Sequence, residues 1–450
     1  MSNRMRPRGS GLTGVFRDAP ALVLSSGLTA VLTLGFWAAA GHLHDTATIG
    51  RASAEISAIT LVAGIAQLNL LGVFLRFLPA AGHLARRFLL AGYVAILIAA
   101  VTGGCIFLAT GLDQGFGGPG AILGRTALVA AIAAQALFIV QDGVLTALGK
   151  ATWVPAENLV AAAARFGLLL LPVTAVGQLG IPAAWFIPVL AAVAAVSVLV
   201  FRKLAVELRN GAAGPSALPD RGDIARFIFA EYVNSLFMNA ATFAPPLLVL
   251  HLVNPSAAAY FNLPWLIVMT MQTLLWNVVM PFIAQSSRLP DTARRLGRQT
   301  VAVGLLLVFV ATPVLVVAAP LVLGLQGEGF AAAGAPLLRI LALGIPFSAV
   351  MVLYSAIAVV RRRIWPMAGI NAAAGMLFFG GLLWALPRYG IVGGGLVYLV
   401  VQVVLAAAVV APIVRWFRAS RALSDAPEVS GRPRDEVATS ARGDRGGREP

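Results

Sequence analysis

Apolar stretches about as long as a bilayer is thick recur through this 450-residue chain, each near the roughly 20 residues that a helix needs to cross ~30 Å of hydrocarbon. Twelve can be drawn: 20–40, 54–78, 88–110, 124–146, 158–177, 181–201, 226–252, 258–284, 300–323, 333–358, 365–386 and 391–416. Backbone N–H and C=O groups find no water in lipid, so spanning segments of this kind must be helical. Composition agrees, with 59% hydrophobic and 11% charged residues, against roughly 45–50% and about 25% in an average soluble domain. The expected fold class is an all-α polytopic membrane protein.

Arg4, Arg6, Arg8 and Arg17 precede the first apolar stretch, and Ala38-Ala39-Ala40 closes it. Its apolar core exceeds the roughly 7–15 residues of a signal-peptide core, so it reads as a retained first helix. Lys and Arg in short loops stay on the cytoplasmic side. With the N-terminus placed there, inner segments hold 28 of the 33 basic residues, outer loops hold Arg51, Arg125 and Arg388, and Arg165 and Arg339 fall within spans. Both termini are thus expected on the cytoplasmic side of a cytoplasmic membrane. The formal net charge of +15 is the inside-positive bias together with attraction to anionic headgroups, which disfavours a nucleic-acid partner. Residues 419–450 carry six Arg and six acids among Pro, Gly and Ser, the composition of a disordered tail.

Shifting the chain against itself by 208 positions aligns Asn69 with Asn277, Phe74 with Phe282, and Arg86-Arg87 with Arg294-Arg295. Further on, Trp153, Pro155, Asn158 and Gly180-Ile181 fall near Trp365, Pro366, Asn371 and Gly390-Ile391. A duplicated six-helix unit follows. An even number of helices makes the two copies parallel, related by an axis along the membrane normal, and such copies enclose a central cleft. The expected divisions are an N-terminal segment 1–19, a first lobe 20–201, a linker 202–225, a second lobe 226–418 and a tail 419–450.

Arginine at the centre of a spanning helix costs about 2.5–3.5 kcal/mol on insertion scales and so faces protein or water. Asn158 and Arg165 are nearly two turns apart and share a face, as do Asn69 and Arg76, and Gln135 and Asp142. Glu231, Asn234, Met238 and Thr242 form a stripe on the seventh span. These stripes predict a wet interior, with Arg165, Arg76, Arg339, Asn158 and Asn69 as cavity-lining candidates and Glu231, Asp142 and Asn234 as ion-coupling candidates. The plainer readings are interface anchoring for Arg76 and Arg339, pairing of Glu231 with Arg226, and pairing of Asp142 with Lys150.

Several chemistries are excluded. The single cysteine, Cys105, rules out internal disulfides and Cys-rich zinc sites. The nearest approach to a phosphate loop, Gly143 through Ala151, has the wrong glycine spacing and no Ser or Thr after Lys150, so direct ATP use is not expected. A membrane glycosyltransferase or ligase needs catalytic groups at an outer face. The outer loops read as short, with few acids: Asp45, Glu55, Asp113 and Glu328. No enzyme activity, cofactor or metal is expected.

The segments IGRASAEISAITLVAGIAQLNLLGVFLRFLP (49–79), DGVLTALGKATWVPAENLVAAAARFGLLLLP (142–172), HLVNPSAAAYFNLPW (251–265), LLRILALGIPFSAVMVLYSAIAVVRRR (337–363) and PRYGIVGGGLVYLVVQ (387–402) resemble bacterial oligosaccharide flippases. These are lipopolysaccharide or polysaccharide biosynthesis membrane proteins of the multidrug/oligosaccharidyl-lipid/polysaccharide exporter superfamily. The resemblance spans about residues 20–416. It implies a twelve-helix, two-lobe fold that moves an undecaprenyl-diphosphate-linked oligosaccharide between leaflets, with membrane lipids and polysaccharide-assembly proteins as partners. It also implies that Arg76, Arg165 and Arg339 hold the diphosphate or acidic sugars. Two departures stand out. Drug antiporters of this superfamily carry an acid in the first helix, and none lies between Ala19 and His44; lipid II flippases commonly have fourteen helices. The competing expectations are a non-transporting scaffold, a polymerase or ligase of polysaccharide assembly, and a drug exporter.

Overall fold

The computed structural model describes residues 11–112, 122–171, 180–210, 214–216, 218–288, 293–361 and 364–422. They form twelve α-helices and no strand: α1 (Gly11–Leu43), α2 (Thr46–Ala66), α3 (Leu70–Phe77), α4 (Ala85–Ala109), α5 (Ile122–Ala147), α6 (Trp153–Leu169), α7 (Gly180–Arg209), α8 (Arg221–Leu252), α9 (Pro255–Arg288), α10 (Ala293–Gly324), α11 (Glu328–Val360) and α12 (Ile364–Ala422). Nine helices are long and apolar enough to cross a membrane among the described residues. The chain is a multi-pass membrane protein. We call the face where α1 begins the near face and its opposite the far face.

The correspondence between helices and expected spans has two exceptions. The second span is not one helix: Leu68 and Asn69 both adopt positive φ, 53° and 54°, and split it into α2 and α3. Asn69 therefore stands at the start of α3 in a left-handed conformation, and the expectation that Asn69 and Arg76 share one continuous helical face is corrected. Conversely, the last two spans join directly. Gly390, at φ 58° and ψ −151°, is the single non-helical residue between the limbs of α12, a conformation that glycine adopts without steric penalty. Gly381 packs on Val397 and Gly394 on Leu382 and Leu386, so the limbs run back along each other as a hairpin. Gly180 opens α7 and Gly390 opens the second limb of α12, so the sequence alignment of these glycines coincides with equivalent places in the two halves.

Helices α1 to α7 pack mainly among themselves, as do α8 to α12, and α2 joins the groups by packing on both α8 and α9. This position makes α2 the most enclosed spanning helix: 78% of its apolar window is buried within the protein, against 6% for α10. It also corrects the reading of Arg51 and Glu55 as outer-loop residues. Both lie in α2, and Glu55 is 6% exposed.

At the far face the halves meet by backbone contact. Gly50 of α2 lies directly against the carbonyl of Pro255 at the start of α9, and a Cβ on Gly41 of α1 would stand 2.5 Å from the carbonyl oxygen of Gln326. Gln326 Nε2 donates to the Trp37 carbonyl at 2.9 Å. His42 Nε2 lies 2.9 Å from the Leu325 carbonyl; a carbonyl only accepts, so this nitrogen carries the proton. Closer to the near face, Tyr232 Oη donates to the Ile65 carbonyl at 3.0 Å.

Candidate substrate cleft and polar sites

Arg165 projects from α6 onto α7. Its guanidinium carbon lies 4.4 Å from the centre of the Trp185 ring, and its Nε donates to the Trp185 carbonyl at 3.2 Å. Trp185 in turn packs edge-on against Phe36 and tilted against Trp37 of α1. This stacking and hydrogen bonding offset the burial of a charge, using one of the five guanidinium donors. Asn158, two turns earlier, donates Nδ2 to the Val154 carbonyl of its own helix at 3.0 Å.

The other two sequence-predicted arginines engage different elements. Arg339 of α11 donates Nε to the Val316 carbonyl of α10 at 3.2 Å. Residue 320, whose N–H would ordinarily bond that carbonyl, is proline and has no donor. Arg76 lies in the last turn of α3 and is exposed, with its guanidinium 5.3 Å from the Phe77 ring centre. Thus Arg165 lies on the α6–α7 seam, Arg339 on the α10–α11 seam and Arg76 at the near end of α3. The side chains of Glu231, Asn234 and Arg226 fall outside the described residues.

A second polar group lies between α4, α5, α6 and α7. Gln141 is fully buried and ties α5 to α7, donating Nε2 to the Val193 carbonyl and Ser197 Oγ, each at 3.0 Å. Asp142 and Glu157 are close enough for their charges to interact. Asp142 Oδ1 and both Glu157 oxygens are buried without a hydrogen-bond partner. Lys150, the alternative partner considered for Asp142, lies over the Trp153 ring at 5.4 Å. Glu157 was not singled out in the sequence; its only signal was a carboxylate four residues into a helix facing another helix end that carries Asp142.

Met238 and Thr242 of the stripe expected on the seventh span line a cavity of about 520 Å³ between α8, α9, α11 and α12, whose other walls the sequence reading did not anticipate. Trp265, Trp276 and Phe378 form an aromatic wall, and Gln272, Tyr398 and Gln402 supply polar groups. Gln272 Nε2 donates to Tyr398 Oη at 3.3 Å, and Gln272 Oε1 is buried without a partner. Trp265 is fixed by its Nε1 donating to the Thr242 carbonyl at 2.8 Å and by stacking on Phe378, 6.0 Å away and 10° from parallel. Its sequence signal was dispersed over four helices between residues 237 and 405.

No protein-family profile matches the chain, and no curated protein sequence matches it. Solved structures do. The lipid II flippase MurJ in an inward closed conformation superposes with a TM-score of 0.63 at 11% identity, covering 87% of each chain. The fold is that of the MATE and MurJ transporters. A MATE multidrug transporter, DinF-BH, gives a TM-score of 0.62 at 11% identity over 92% of this chain and 98% of its own. An inward-facing MATE multidrug resistance transporter of the MOP superfamily gives 0.58 at 15% identity, covering 89% of this chain and 96% of that one. The chain thus spans nearly the whole length of these MATE-fold structures.

Proposed function

We propose that this protein is a transporter working by alternating access, and that its substrate is a lipid-linked oligosaccharide moved from the inner to the outer leaflet of a bacterial cytoplasmic membrane. The observation that carries the transport reading is the seam of small residues between the two helix groups at the far face. Gly41 meets Gln326 and Gly50 meets Pro255 at the far face, held by weak, reversible contacts between two helix groups. With the basic near face cytoplasmic, opening of this seam would expose the outer side of the membrane. The lobes of the cycle are 20–201 and 226–418, joined by 202–225, with 1–19 and 419–450 as cytoplasmic extensions.

The substrate reading is supported by the resemblance of five ordered segments to oligosaccharide flippases and by MurJ-like architecture. Arg165, Arg76 and Arg339, with Asn158 and Asn69, are assigned to substrate. Guanidinium groups suit a diphosphate, since charge-assisted bonds of this type are short and strong. Asp142, Glu231 and Asn234 are assigned to coupling with an ion gradient.

The test is leaflet translocation of a labelled undecaprenyl-diphosphate oligosaccharide by protein in liposomes under a proton gradient. Translocation that is lost in Arg165→Ala, with the variant still folded, supports the reading. Several such lipids left untransported by folded wild-type protein would overturn it.

A further inference from the structure

The cavity between α8, α9, α11 and α12 has a chemistry unlike that of the arginine sites. Among its described lining residues none is charged. A phosphate placed there would leave water without a counter-charge, which is severely unfavourable, and an ammonium group would have only the aromatic faces to offset its desolvation. Its volume, about 520 Å³, falls within the roughly 300–1,000 Å³ typical of small-molecule sites.

We propose that this cavity is a subsite for neutral sugar, taking the glycan part of an amphipathic substrate whose anionic linkage stays outside it. Sugar rings present C–H faces and hydroxyl edges. The C–H faces match the wall of Trp265, Trp276 and Phe378. The hydroxyls, each both donor and acceptor, match the amides of Gln272 and Gln402 and the phenol of Tyr398. Gln272 Oε1 is buried without a partner, so the amide can turn to offer this oxygen to a sugar hydroxyl without breaking an existing bond at that atom. Tyr398 is wholly enclosed, with Gln402, Ser348 and Gln272 in hydrogen-bonding reach. The polar edge is therefore held in place before any ligand arrives, which lowers the ordering that binding must impose. The inference rests on the lipid-linked oligosaccharide reading for its substrate, but the neutral-sugar chemistry stands on the cavity itself.

The experiment uses the full chain in lipid nanodiscs, titrated with three amphiphiles that share one alkyl tail and differ in headgroup: a maltoside, a phosphate and a trimethylammonium. Tryptophan fluorescence reports binding. The maltoside should bind most tightly at the cavity and lose at least tenfold in affinity in Gln272→Leu, Gln402→Leu and the cavity-filling Ala374→Phe. The phosphate should be indifferent to all three. Tighter binding of the ammonium compound, retained in the glutamine variants, would overturn the proposal in favour of a cation-binding aromatic pocket. Equal affinities for all three headgroups would overturn it in favour of a purely apolar one. Liposome transport separates the two readings. Glycolipid transport unchanged in the cavity variants sinks the subsite and leaves the transporter, whereas variant-sensitive maltoside binding without transport of any glycolipid does the reverse.

Discussion

Gly50 of α2 presses its Cα against the carbonyl of Pro255 at the start of α9, leaving no room for a side chain. Any larger residue must push the two helix groups apart at the far face. Gly50→Leu is expected to open that face and to abolish transport while the protein still inserts. The check is labelling of a cysteine placed at Ala259, buried beside Gly50, with a membrane-impermeant maleimide, in a background where the exposed Cys105 is serine. Labelling that does not rise in Gly50→Leu removes the contact from the gate.

Arg339 and Pro320 make a second testable pair. If the guanidinium occupies the carbonyl that the proline strands, Arg339→Ala alone should destabilise the protein by about 1.5–3 kcal/mol. Pro320→Ala in the same chain should recover most of that loss by restoring the helical bond. Additive changes in the unfolding midpoint would show that the two are unconnected.

For Arg165, the stack on Trp185 and the role proposed in substrate binding separate by substitution. Trp185→Leu removes a cation–π contact worth about 0.5–2 kcal/mol and should lower thermal stability without eliminating transport. Arg165→Lys keeps charge but loses the planar fork, and transport should fall at least tenfold at unchanged protein level. Full transport by Arg165→Lys would reduce this residue to a structural brace.

Asp142 and Glu157 are near enough for their charges to interact, and Asp142 Oδ1 and both Glu157 oxygens are buried without hydrogen bonds. Asp142→Asn is expected to raise the melting temperature. If the carboxylate couples transport to an ion gradient, the same variant should lose gradient-driven accumulation and keep passive exchange. A variant that is both less stable and fully coupled contradicts each half of this expectation.

Asp45 caps α2, accepting from the Thr48 N–H at 3.0 Å and the Thr48 hydroxyl at 2.6 Å. These bonds hold its carboxyl below the usual carboxylate range, the Thr48 side chain contributing most. The stabilisation is complete above the ordinary carboxylate pKa and fades as pH falls through the lowered one. Asp45→Ala should cost about 1 kcal/mol, and the gap from wild type should close on acidification.

Spans that face lipid were the readable part of the sequence, because lipid enforces unbroken hydrophobicity. α2 is ringed by protein instead, which lets it carry Arg51 and a buried Glu55, and those charges made its first turns look like loop. The Leu68-Asn69 break left only a faint mark, the tolerance of asparagine for the left-handed region, because the leucine before it is a good helix former. Gly390 was read correctly as a boundary, but nothing local distinguished a one-residue reversal from a longer turn. The arginines stood out as charges in apolar runs, whereas the neutral cavity, built from single glutamines and aromatics far apart in sequence, had no such contrast.

The stretch between the halves is shorter in effect than its length in residues. His83 donates its N–H to the Gly214 carbonyl at 3.0 Å, and Gly82 abuts Gly214 and Pro215, so the connection is pinned to the 3₁₀ turn at Gly82–Leu84. From Ser216 to the start of α8 at Arg221 the chain can reach at most about 17 Å when fully drawn out. The two halves are therefore on a short leash at the near face: a mechanical stop that fixes how wide the doorway can swing, whatever passes through it.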